Sequence, residues 1–186
     1  MAEDGALPPL EARRHAFTGA QVLQLQAAGL FGASKVELIA GDIWDMPAEG
    51  ARHASLKVWL NEWLILNKPA GVRVACDTTI RLAPTYWPSP DFALFPAARN
   101  VAEVTGPELL LAIEISDSSL REDLRVKAEA YRLHGVREVW VCDLAAGATH
   151  VHRWDRGWPI APPVPFTQPL APALLPGMAV RLAEGA

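Results

Sequence analysis

From Leu109 to Ile115 the chain runs LLLAIEI, an almost unbroken apolar stretch of branched residues. A run this short predicts a buried strand. Alternation sets Ala112, Glu114 and Ser116 on one face, with Leu109, Leu111, Ile113 and Ile115 on the other. A lone ionised Glu114 at such a position costs several kcal/mol, on the order of the penalty for a buried ion, unless it has a partner. Asp117-Ser118-Ser119 then breaks the strand, and Ser119-Leu120-Arg121-Glu122 reads as a capping box opening a helix that Gly135 closes. Leu120, Leu124, Ala128 and Tyr131 form one stripe of that helix, and Lys127 falls in its middle. Taken alone, Lys127 reads as a snorkelling side chain or as an ion pair with Glu114 or Asp123. Two inward charges on consecutive elements favour an active site.

Elsewhere the pattern predicts Thr18–Gly29 as an amphipathic helix with Thr18 as its N-cap. Lys35–Met46 reads as two short strands about a turn at Ala40-Gly41-Asp42. Glu37 lies there in an apolar setting, and imperfect alternation leaves open an exposed strand position. Arg52–Asn67 reads as a well-buried helix with Leu56, Leu60, Trp63 and Leu64 in register, Trp59 and Ile65 extending its apolar surface, and His53 solvated or capping at its start. Val72–Leu82 reads as a strand with a break near Asp77. Asp91–Phe95 is the next, with Asp91, Ala93 and Phe95 on one face; an Asp after Pro90 is by itself ordinary turn chemistry. Glu138–Asp143 and Thr149–Trp154 complete the strands. His150 and His152 share a face of the latter, an H-x-H pair that reads as an edge strand before it reads as a metal site. Gly157–Pro172 is proline-rich and expected to run extended over the surface, with a last short strand at Val180–Leu182.

At 186 residues and 51% hydrophobic, the chain suffices for one domain with a real core, spanning 1–186 with a loose tail at 1–15 and a proline-rich extension at 157–186. It carries no apolar run of membrane-spanning length and no apolar leader core, so a cytoplasmic protein is expected. Cys76 and Cys142 sit far apart in apolar stretches and read as buried thiols. The net charge of −4 argues against broad nucleic-acid binding, although a local basic groove stays compatible with it. Arg121, Arg125, Arg132 and Arg137 read as a solvated helix face among acidic neighbours. Glycine-rich phosphate loops and G-x-S-x-G are absent, which disfavours nucleotide-cofactor and serine-hydrolase chemistry.

The order of Glu37, Pro90-Asp91, Glu114 in a strand and Lys127 on the next helix resembles the PD-(D/E)XK nuclease superfamily. More closely, it is similar to the bacterial Uma-type (Uma-two) endonucleases. The resemblance rests on VELIAGDIWDM, the His53 helix, SPDFALF, LLLAIEIS, the K-x-x-x-Y of Lys127 and Tyr131, and GVREVWVCD, and covers about Val36 to Trp154. It implies an α/β (α+β) restriction-endonuclease-like core, a mixed central β-sheet flanked by helices. It further implies that Asp91 and Glu114 ligate Mg²⁺ or Mn²⁺ with the Ile115 carbonyl, that Glu37 completes the site, and that Lys127 stabilises the transition state of DNA phosphodiester hydrolysis. The superfamily's lysine two residues after the strand glutamate is replaced here by Ser116, so the resemblance assigns its role to Lys127, with Asp123 or Tyr131 to orient it. A duplex substrate makes a homodimer plausible. The alternative class is a catalytically inactive DNA-associated or protein-interaction module that keeps the fold. A purely structural Glu114–Lys127 pair ranks last, because buried ion pairs stabilise less than apolar packing.

Overall fold

A computed structural model describes residues 14–46, 48–153 and 160–186. The tail expected over residues 1–15 therefore lies, up to residue 13, outside the described residues, as does Trp154. Helix α1 (Gly19–Ala27) is capped by Thr18, whose side chain and that of Gln21 exchange hydrogen bonds with each other's backbone N–H. Strands β1 (Val36–Ile39) and β2 (Asp42–Asp45) form an antiparallel hairpin. Its two turn residues, Ala40 (φ 54°) and Gly41 (φ 81°), are both left-handed, as a tight hairpin of the twist-matched kind requires. The hairpin is a separate sheet, tied to the rest of the chain by backbone hydrogen bonds between Leu38 and Trp87.

The main sheet has six strands in chain order: β3 (Val72–Cys76), β4 (Phe92–Pro96), β5 (Leu111–Ser116), β6 (Glu138–Asp143), β7 (Ala148–Arg153) and β8 (Ile160–Pro165). Only β5 and β6 run parallel, joined by the helical crossover that parallel strands require. Helix α2 (Ala51–Asn67) packs Leu56, Leu60 and Leu64 on one sheet face against Phe92, Leu94, Leu111, Ile113 and Trp140. On the opposite face Ala93, Phe95, Ala112, Val139 and Val141 meet Tyr131 and Val136. Every residue of β5 and β6 is buried, which is why both read as apolar runs. No helix among the described residues is long and apolar enough to cross a membrane.

Several expectations change. The crossover helix is irregular: α3 (Leu120–Glu122) passes into a π-helical stretch, Asp123–Lys127, before α4 (Ala128–Leu133). The Ala128 N–H donates to the Asp123 carbonyl, five residues back. Ser119 does not cap this helix; its hydroxyl is spent on Asp123 instead. Helix α2 is buried along one face only, with Val58, Ile65 and Leu66 exposed. Strand β3 ends at Cys76 because Asp77 turns left-handed (φ 49°), and Cys76 is exposed whereas Cys142 is buried. The proline-rich segment supplies β8, with prolines on an edge strand where missing N–H donors are tolerated. Strand β7 consequently lies inside the sheet and is no edge. Val180 makes an isolated bridge to Leu170, and Leu182–Glu184 is a 3₁₀ turn, where a final strand was expected.

Candidate active site

Strands β4 and β5 pair antiparallel with Phe92 opposite Ile113 and Ala93 opposite Ala112. Extending that register by one residue brings Asp91 opposite Glu114. Both line a cleft of about 240 Å³, together with Glu37, His53, Ile115, Asp123 and Lys127. The four side chains singled out in the sequence thus meet in one place, although they come from β1, the start of β4, β5 and the π-helical stretch.

Around Lys127 the contacts form a closed set. Its Nζ lies 3.2 Å from Glu37 Oε1, 3.2 Å from Glu114 Oε2 and 3.6 Å from Asp123 Oδ1. The other Glu114 oxygen accepts the Tyr131 hydroxyl at 2.7 Å. Tyr131 therefore holds the glutamate, and Asp123 is the residue that flanks the lysine. Asp123 is held in turn by the Ser116 and Ser119 hydroxyls, each at 2.6 Å. Ser116, at the place where the superfamily pattern has lysine, thus orients the carboxylate beside the lysine that arrives from the helix. The π-helical stretch puts Asp123 and Lys127 both inward, a placement associated with functional sites. Glu37 also accepts the Ser89 N–H at 2.9 Å, which fastens the hairpin to the segment leading into β4.

Glu114, Lys127 and Tyr131 are all shifted upward. Burial pushes the Glu114 carboxyl well up; Lys127 opposes that, and the carboxylates of Asp123, Glu37 and Asp91 add to it. Burial alone would lower Lys127, but Glu114, Glu37 and Asp123 outweigh it and raise its pKa. Burial and the neighbouring Glu114 raise the Tyr131 phenol. One ammonium cannot neutralise three carboxylates, so Lys127 stays charged and the Glu114 carboxyl is pushed toward its protonated form.

Asp91 belongs to a second set built on α2. Its Oδ2 accepts the Ile115 N–H at 2.7 Å, and His53 Nε2 lies 3.2 Å away. Ile115 thus presents its amide to Asp91 as well as lining the cleft. His53 Nδ1 is 3.5 Å from Glu49. Lys57 reaches Asp77 at 2.7 Å, Asp91 at 3.5 Å, and Glu49. Burial would lower the His53 pKa, yet its hydrogen bond to Asp91 and the charges of Asp91 and Glu49 raise it. The expectation of a solvated or capping His53 is therefore corrected. Lys57 escaped the sequence reading altogether. Its signal was the four-residue spacing of His53 and Lys57, which lines them along one side of a helix beside the Leu56 stripe.

Donor atoms of Glu49, His53 and Asp91 lie within 4.8 Å of one another, a spacing suited to one metal ion. The chemistry of the whole set fits a divalent cation. Carboxylates outnumber the lysines lining the cleft, and a phosphodiester could not approach that field without added positive charge.

A mixed sheet with carboxylates at the facing ends of adjacent strands, and a lysine delivered by the following crossover, is the arrangement that the resemblance to the nuclease superfamily implied. A family model, Uma2, described as a putative restriction endonuclease, matches residues 20–183, and the chain belongs to that family. A crystal structure of a putative nuclease belonging to DUF820 from Anabaena variabilis ATCC 29413 is similar, with a TM-score of 0.72 at 16% identity. The match covers 90% of this chain and 96% of that one. Identity that low carries the fold alone. No curated protein matches.

Proposed function

We propose that the protein is a metal-dependent endodeoxyribonuclease acting at this cleft. The observation that carries the reading is the convergence of Asp91 and Glu114 from adjacent strands with Lys127, in a cleft whose acids exceed its bases. Asp91 and Glu114, with the Ile115 carbonyl, would hold Mg²⁺ or Mn²⁺. The ion would supply Lewis-acid activation of water and of the scissile phosphate. Lys127 presents a fixed positive charge to the developing negative charge on the phosphate oxygens. Glu37 and Asp123 keep that ammonium protonated and in place, and Tyr131 fixes the Glu114 carboxyl. His53 adds an imidazole donor beside Asp91, which suits Mn²⁺ better than Mg²⁺.

Calorimetric titration of Mg²⁺ and Mn²⁺ into wild type and Asp91→Ala/Glu114→Ala tests the metal, followed by cleavage of DNA. Binding lost in the double variant, and cleavage lost in Glu114→Ala without unfolding, are the expected results. Metal binding that persists in the double variant would assign the ion to other donors. Cleavage surviving Glu114→Ala would place the chemistry elsewhere. Absence of metal binding by wild type, alone and with non-cleavable DNA, would leave the inactive interaction module as the reading.

A further inference from the structure

Beside the cleft lies a second cavity of about 280 Å³, and the two share Glu37, Asp123 and Lys127 in their walls. Its character differs. Ile39, Trp44, Met46 and Val126 make it largely apolar, with Asp45 and Glu122 as exposed acids beside them. Trp44 is the cross-strand partner of Glu37 in the hairpin, so its indole stands on the same face, next to the carboxylate that grips Lys127. The indole is only partly buried. Lys127 is the only base among the described residues that line this cavity.

We infer that this cavity receives one unpaired nucleobase of the DNA strand whose backbone lies in the cleft, stacked on Trp44. The inference rests on the nuclease reading and specifies its substrate class: single-stranded or locally unpaired DNA. An aromatic face beside a phosphate-handling cleft binds bases of any sequence by stacking. Asp45 and Glu122 repel a phosphate but accept hydrogen bonds from exocyclic amino groups, so the base and not the backbone fits here. At about 280 Å³ the cavity has room for one base. A base held in a duplex stack cannot enter without being extruded.

The test is fluorescence anisotropy of a dye-labelled single strand and its matching duplex on the full chain, with Ca²⁺ replacing Mg²⁺. Wild type is expected to bind the single strand more tightly. Trp44→Ala should weaken it by roughly 5- to 150-fold, the range for losing one base–aromatic stack, with the duplex affected much less. Trp44→Phe should retain most of the affinity. Val126→Phe, which fills the cavity from the helix side, should weaken the single strand as Trp44→Ala does, and it serves if Trp44→Ala fails to fold. Equal binding of both DNA forms by wild type, no binding of the single strand, or a single-strand affinity indifferent to both changes would each overturn the inference. Metal-dependent cleavage measured in parallel separates it from the nuclease reading. Cleavage indifferent to Trp44 and Val126 sinks the pocket alone. Trp44-dependent binding without any cleavage sinks the nuclease and leaves the pocket.

Discussion

The cleft has two charged halves, and water reaches them unequally. In the Lys127 half the side chains of Glu37, Glu114 and Asp123 are 1%, 4% and 3% exposed. In the Lys57 half, Asp91 is 10% exposed, but Glu49 and Asp77 are 39% and 37% exposed. The same pairing of lysine with several carboxylates therefore carries different energetic weight. Where water is excluded, an uncompensated charge costs several kcal/mol; near the surface, water stabilises whichever partner is left behind.

The largest effect should come from Lys127→Met, which leaves three buried carboxylates without their cation. A loss of about 3–5 kcal/mol is expected by urea denaturation at neutral pH. Adding Glu114→Gln should recover part of it, because the two changes are coupled; simple additivity would show that the pair is not the source of the cost. Tyr131→Phe comes next, at about 1–3 kcal/mol, since Glu114 Oε1 loses a buried donor. Lys57→Met should cost only about 1 kcal/mol. A loss equal to that of Lys127→Met would erase the contrast between the halves.

The smallest effect concerns pH and the metal-free protein. The His53 pKa is raised in the fold, so the protonated imidazole is the form the fold favours. Its contribution is complete below the unfolded value, about 6.5, and is lost as pH rises through the folded value. Wild-type stability should accordingly fall across that window relative to His53→Gln. Parallel pH profiles would show that Asp91 and Glu49 do not hold the proton on His53. Glu114 has linkage of the same sign, beginning at lower pH. Its raised carboxyl pKa costs stability as pH climbs from the ordinary glutamate range through the folded value, and Glu114→Gln should remove that slope.

Short-range patterning was enough for β5, β6 and the hairpin, whereas Asp91 entered the site only through the family resemblance. Periods of two and 3.6 residues, with turn residues between them, declare which side of an element faces inward. Inward charges on β5 and the crossover helix also revealed Glu114 and Lys127, since a charge in an apolar stripe needs a partner. The route of that partnership was not legible. Regular helical periodicity gave no sign of the π-helical turn that carries Asp123 inward beside Lys127, or of Ser119 leaving its cap position for Asp123. His53 read as solvated or capping and Lys57 went unread, because the Asp91 and Asp77 they meet lie tens of residues away. β8 was hidden by its prolines, which are acceptable only because that strand lies at an edge.

By itself the sequence determined most of the elements, their inward faces and the inward placement of Glu114 and Lys127, because those depend on neighbours a few residues apart. Tertiary structure alone decided that α2 brings His53 and Lys57 to Asp91, with Glu49 just ahead of the helix, and that Trp44 stands beside Glu37. Such contacts join elements distant along the chain, and their energies depend on a burial that exists only once the sheet and its two helical faces have closed.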